Sequence, residues 1–220
     1  MRIQTNHKML RISFFVVILL SISSPSWAVS FGFTNISNNS GVASSVAEQL
    51  SVDISDNGDS ALFVFHNIGS ISSFIGQIYF DDVNLLIFNS FDTSSTSDGV
   101  SFDFTIPGAN FPEGNTVSFV EDYDASANNP APKDGINATT SDLEYLGILF
   151  DFEIGASFTQ LTSAITDGSF RIGMHVQGIN PDDGDYSDSF VSGAPVPEPS
   201  TLLLLGAGIT GLAFYRRKKK

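Results

Sequence analysis

The sequence predicts an all-β body, a single β-sandwich or jelly roll with one short helix, and three observations predict it. Apolar residues alternate with polar ones at period two, Gly, Asp, Asn and Pro cluster into turns at roughly ten-residue spacing, and Phe, with 20 copies, is the main candidate core residue. A closed barrel is the alternative arrangement of the same strands.

The elements follow in chain order. Residues 30–45 are polar and rich in Asn and Ser and read as a weakly ordered arm. Leu62, Phe63, Val64 and Phe65, then 74–80 and 83–91, are dense apolar runs that suit central strands buried on both faces. Turn residues at 56–59, 97–99, 107–108 and 180–184 separate the runs. Val100, Phe102, Phe104 and Ile106 alternate with polar neighbours, as do Leu146, Ile148, Phe150, Phe152 and Ile154, and then Phe170, Ile172, Met174 and Val176. Between the first two of these, 122–140 has no apolar period and reads as a long exposed loop. Phe158, Leu161, Ala164 and Ile165 keep helical spacing and predict the one helix.

Composition excludes several classes. The chain has no Cys, so neither a disulfide scaffold nor a Cys-ligated metal centre is available. Its formal charge of -14 and pI of about 4.2 disfavour binding to nucleic acid phosphates. Hydrophobic residues at 42% are enough to build a core. All but two of the basic residues lie near the ends; within 29–195 only Lys133 and Arg171 face 23 acidic residues, a formal charge of -21.

Residues 1–28 read as an export signal. Arg2, Lys8 and Arg11 precede an apolar run at 12–22, and Ser26 and Ala28 place small side chains at the -3 and -1 positions, so signal peptidase is expected to cut between Ala28 and Val29. At the other end, 202–215 is a second apolar run of about 21 Å as a helix, short of a roughly 30 Å hydrocarbon core but within reach of a locally thinned bilayer. Arg216, Arg217, Lys218, Lys219 and Lys220 follow it and act as a stop-transfer cluster, so the expected topology is body outside and tail inside. A permanent single-pass anchor is the simpler alternative for this tail. The terminal cations argue against a GPI signal. The GxGxxG pattern at 206–211 leaves too little chain after it for a dinucleotide-binding unit.

Val196, Pro197, Glu198 and Pro199, the weak membrane helix and the basic cluster, in that order, resemble the PEP-CTERM sorting signal of Gram-negative bacteria. The resemblance implies recognition of the Pro-Glu-Pro box, and removal of the tail, by a membrane-embedded cysteine peptidase, an exosortase, in bacteria that make extracellular polysaccharide. Two prolines fix φ and hold the box extended, a form that a peptidase cleft can grip. Segments 78–82, 146–152 and 171–178 resemble passenger domains that carry this signal, which implies one compact domain over 29–195.

Candidate chemistry in the body is sparse. His66 and His175 sit in no metal-ligand spacing, and neither HExxH nor GxSxG occurs. Asp151 and Glu153 alternate on one strand roughly 6.5 to 7 Å apart, within loose range of a glycosidase pair, although an outward, solvated pair is the preferred reading. The only Trp, Trp27, belongs to the leader, which leaves Tyr79, Tyr123, Tyr145 and Tyr186 as weaker sugar platforms. Residues 53–64 begin like an EF-hand but carry Val64 where a bidentate Glu is needed. The candidate calcium sites are the acidic loop of Asp182, Asp183, Asp185 and Asp188 and a second cluster of Glu121, Asp122 and Asp124, one or both, with solvated acidic turns as the alternative reading. No cofactor is required. The expected function is a non-enzymatic, exported surface or matrix protein associated with exopolysaccharide. A carbohydrate- or calcium-binding module is the alternative, and a secreted hydrolase is the weakest reading.

Overall fold

A computed structural model describes residues 28–106, 109–128, 131–138, 140, 144–180 and 185–195. The expected leader, the sorting box, the apolar run at 202–215, the basic cluster and the acids Asp182 and Asp183 lie outside the described residues.

The described residues form eleven strands: β1 Ala28–Asn35, β2 Leu50–Asp56, β3 Ser60–Asn67, β4 Phe74–Asp81, β5 Leu86–Phe91, β6 Phe102–Thr105, β7 Tyr123–Ala127, β8 Ile136–Asn137, β9 Tyr145–Phe152, β10 Arg171–Ile179 and β11 Tyr186–Pro195. Three α-helices join them among the described residues, α1 Ala43–Ala47, α2 Ala131–Asp134 and α3 Phe158–Asp167. Every strand pairing is antiparallel, in the order β5-β9-β3-β2-β1-β11-β10-β4-β7-β6, with β8 added beside β4. The all-β expectation holds, but hydrogen bonding makes one sheet where two were expected.

That sheet curls until it faces itself. β3 and β4 stand five positions apart, about 24 Å along a flat sheet. Yet the rings of Phe63 and Phe80 lie 6.2 Å apart, edge to face. The two end strands meet as well, through Phe88 of β5 stacked on Phe104 of β6 at 3.8 Å. Phe63, Phe80 and Phe150 are fully buried and pack edge to face in the middle of the core. Apolar attraction between aromatic faces thus closes the gap that backbone pairing leaves open.

Several sequence expectations are corrected. The arm at 30–45 contains β1, which lies mid-sheet between β2 and β11. Its Phe31 and Phe33 point into the core while Ser30, Gly32 and Thr34 alternate outward. The exposed loop at 122–140 contains β7, α2 and β8; β7 buries Ala125 and pairs with both β4 and β6. The run at 83–91 is an edge strand, half open to solvent, because only Leu86 of β5 is fully buried. β3 alternates between buried and half-buried positions, so it too is covered mainly on one face. The expected helix appears as α3, with Ser157 accepting from the Gln160 N–H at its start and Gly168 at φ 79° ending it.

Antiparallel topology sorts the connections into two ends. β1 begins and β11 stops at one end, which also carries the β2–β3, β4–β5, β6–β7 and β9–β10 connections. The opposite end carries β1–β2, β3–β4, β5–β6, the β7–β9 segment and β10–β11.

Candidate functional site

The chain enters and leaves the fold on neighbouring strands. Ala28, the first residue of β1, pairs with Ser55, and Val29 pairs with Ile54. Phe31 pairs across β1 with Pro195, the last residue of β11. Strand β11 is therefore held between β1 and β10 as far as Val191, and by β1 alone from there to Pro195, the residue that precedes Val196.

The connections at this end are locked by carboxylates. Asp82 accepts from the Leu85 and Leu86 N–H groups at 2.9 and 3.2 Å and from the Tyr123 hydroxyl at 3.3 Å. Asp122 accepts from the Asp82 N–H at 2.8 Å. Asp124 accepts from the Ala109 N–H and Glu121 from the Phe111 N–H, at 2.8 and 2.9 Å. Burial raises the Asp82 carboxyl above its ordinary range, against the two backbone donors. Burial, with Asp82 beside it, pushes the Tyr123 phenol up to about 12.

A small second core explains the β6–β7 connection. Tyr79, Phe111 and Phe119 cluster on the outer face of β4 and β10. Phe111 lies 4.8 Å from Tyr79 and 4.9 Å from Phe119, and a Cβ on Gly173 would stand 2.8 Å from the Phe111 ring. Arg171 clamps the segment. It pairs with Asp81, donates to the Val117 and Ser118 carbonyls at 2.6 Å each, and stacks 5.2 Å from the Phe119 ring. The face of β10 that carries Arg171 and Gly173, opposite the core-facing Ile172 and Met174, is thus covered by protein. No alternation in the sequence reports this; the one available signal is Gly173 between the bulky Ile172 and Met174.

The other candidate groups are engaged elsewhere. His66 Nε2 lies 3.3 Å from Asp53, and Ser30 donates to the same carboxylate. The carboxylate sits between the hydroxyl and the imidazole, so His66 is not placed to take a proton from Ser30. The bond from His66 lowers the Asp53 carboxyl, against its burial. His175 touches Gln77 and Gln177 at 3.3 and 3.4 Å, and burial lowers its basicity. Asp151 accepts from Asn89 at 2.9 and 3.0 Å. Glu153 follows β9 and lines a cleft of about 410 Å³ with Asp56, Asp59, Phe152 and Phe158.

At the opposite end, Asp188 is buried and accepts four hydrogen bonds. Its Oδ1 takes the Ser37 hydroxyl at 2.8 Å and the Asn39 N–H at 2.6 Å; its Oδ2 takes the Ser40 N–H at 3.2 Å and hydroxyl at 2.6 Å. Asp185 is exposed. Among the described residues no group of three or more His, Asp or Glu is placed to hold a metal ion. No helix among the described residues is long and apolar enough to cross a membrane.

The family model for the PEP-CTERM protein-sorting motif matches residues 195–219. The chain carries the C-terminal sorting signal of exosortase substrates. The PEP-CTERM motif starts at Pro195, the residue on which β11 ends, so fold and signal meet without a spacer. It implies export, an exosortase as processing partner, and a surface or extracellular destination. No curated protein and no solved structure matches the chain.

Proposed function

We propose that this protein is a non-enzymatic surface or matrix component, delivered by its PEP-CTERM signal and separated from it by an exosortase cut in or beside the Val196 to Pro199 box. The observation that carries the reading is the meeting of β11 with the motif at Pro195. A cut beyond that residue takes no strand from the sheet and releases the -21 body whole. A body so acidic stays soluble and takes up divalent cations at its surface, which suits a cation-bridged place in an exopolysaccharide matrix. The carboxylates Asp82, Glu121, Asp122, Asp124 and Asp188 are spent on holding loops, which favours a structural part for them over catalysis. Substituting Pro197, Glu198 and Pro199 together with Ala is expected to leave an uncut precursor in the membrane. Normal processing of that variant would overturn the recognition of the box.

A second reading, a carbohydrate-binding module, is favoured by the cleft in which Phe152 and Phe158 stand beside Asp56, Asp59 and Glu153. Saturable binding of an acidic-to-neutral glycan series, lost on Phe158→Ala, is the test. Calcium in this reading belongs to the loop of Asp182, Asp183, Asp185 and Asp188, where it would compete with Ser37, Asn39 and Ser40 for Asp188. A calcium-dependent, EDTA-reversible rise in melting temperature tests it.

A further inference from the structure

The end of the fold from which the sorting signal leaves is also the end that exposes branched aliphatic side chains. Val83 in the β4–β5 connection, Ile106 and Val120 in β6–β7, and Ile154 in β9–β10 are 44, 66, 59 and 104% exposed. The opposite end shows only Ile68 and Tyr186 among its described residues. Three of the four are tied into one rim. Glu153, next to Ile154, donates its N–H to the Leu85 carbonyl, two residues from Val83. The Val120 N–H donates to Asp81, and Asp82 and Asp122 join the two connections. Ile106 follows the Thr105–Asp124 pair onto the same rim.

The rim is also held in costly backbone conformations. The non-glycine residues with φ between 53 and 61° among those described are Asn84, Glu113 and Ser118, all in these connections. Such conformations persist where the surroundings over-determine them. Here the Arg171 clamp and the Asp82 cap do so.

We propose that this aliphatic rim is a docking surface for the peptidase that cuts the sorting signal. The proposal rests on the exosortase reading above. Its occupant follows from chain length. Only the six residues 196–201 separate Pro195 from the apolar run that starts at Leu202, a reach of at most about 21 Å. An enzyme whose cleft encloses the box must therefore abut the surface from which β11 emerges. The acids beside the rim, Asp56, Asp59, Glu153 and Asp122, oppose an anionic bilayer and favour a protein face. Binding energy from a site outside the cleft lets a short, degenerate box be cut efficiently when it hangs from a folded passenger.

The test follows precursor processing in the native host by pulse-chase for four full-length chains: wild type, Val83→Ser with Ile106→Ser, Val120→Ser and Ile154→Ser, the opposite-end control Ile68→Ser, and the box variant with Ala at Pro197, Glu198 and Pro199. The rim variant is expected to be processed about tenfold more slowly, with the control at the wild-type rate. The single variant Ile154→Ser, whose side chain is fully exposed, carries the test if the quadruple variant melts early, and is expected to slow processing measurably. Wild-type rates in the rim variants, with the box variant uncut, overturn the docking surface and leave the sorting reading standing. A box variant cut normally overturns the sorting reading itself. Two assays of the wild-type body probe the other occupants: rim-dependent binding to phosphatidylglycerol vesicles, or a rim-dependent dimer in sedimentation equilibrium, would assign the rim to lipid or to a second copy and overturn the proposal.

Discussion

Asp188 shows what single carboxylates do in this protein. One buried side chain takes two backbone N–H groups and two hydroxyls from 37–40, and so ties the segment after β1 to the start of β11. All its acceptor positions are filled, and any replacement leaves donors without partners in a buried place. Asp188→Ala is expected to lower unfolding stability by about 2 to 4 kcal/mol in urea titration, the range for a broken buried network. A cost below ~0.5 kcal/mol would mean that the segment is held by something else. Titratable residues also set opposite pH dependences. The folded-state basicity of His175 is depressed by burial, so between its ordinary value of 6.5 and its lower folded value the unfolded chain binds more protons and stability falls as pH falls. Asp53 and Asp92 are held below 3.8, by His66 and by Ser95 respectively, and their contributions are lost at still lower pH. Asp82 works the other way: its carboxyl is raised by burial, so its contribution is full below 3.8 and is lost as pH rises through the folded value. His175→Gln is expected to flatten the stability loss that begins just below pH 6.5 while leaving the loss below pH 3.8 in place, as read from denaturant midpoints across pH.

At the scale of elements, two glycines separate backbone from packing. Gly168 ends α3 at φ 79°, and a Cβ added there would meet nothing within 4 Å, so Gly168→Ala is expected to cost about 1 kcal/mol through the left-handed backbone alone. Gly173 has ordinary backbone but lies under the Phe111 ring, so Gly173→Ala is expected to lift the 109–119 segment and expose Tyr79. Tyrosine fluorescence and protease sensitivity of that segment would read the difference, and equal behaviour of the two variants would contradict it. The same contrast explains what the sequence disclosed. β9, β10 and α3 were legible because each turns its large apolar residues to one face of the core, and that one-sided placement writes its period into the sequence. β1 carried the signal in Val29, Phe31 and Phe33, but the Asn and Ser that follow it masked so short a run. β7 was hidden because two of its three inward residues, Ala125 and Ala127, are small, which hydropathy reads weakly. The curl, the Arg171 clamp and the loop-holding acids depend on partners far apart in the chain, and no local pattern encodes those. The sorting box was legible for the opposite reason: its elements are consecutive in the chain.

At the scale of the molecule, the first and last strands are neighbours in the middle of the sheet. Strand pairing links the two halves of the sheet through β1–β11 alone, a contact of nearly the longest possible range, while aromatic packing joins them across the core. For a chain exported from its N-terminus, the β1–β11 pair is expected to form only after β11 has crossed the membrane. If the leader is removed after Ala28, as the sequence predicts, the cut bond lies in the β1–β2 ladder once the sheet has formed, and the cut must come first. The C-terminal cut is different, because it falls beyond Pro195 and leaves every strand paired. The most direct measurement is the intact mass of the protein in the membrane and extracellular fractions of the native host. The expected result is an extracellular species that starts at Val29 and ends near Pro199, with the sheet complete. Retention of 202–220 by every molecule, all in the membrane fraction, would contradict release and make this a permanently anchored surface protein.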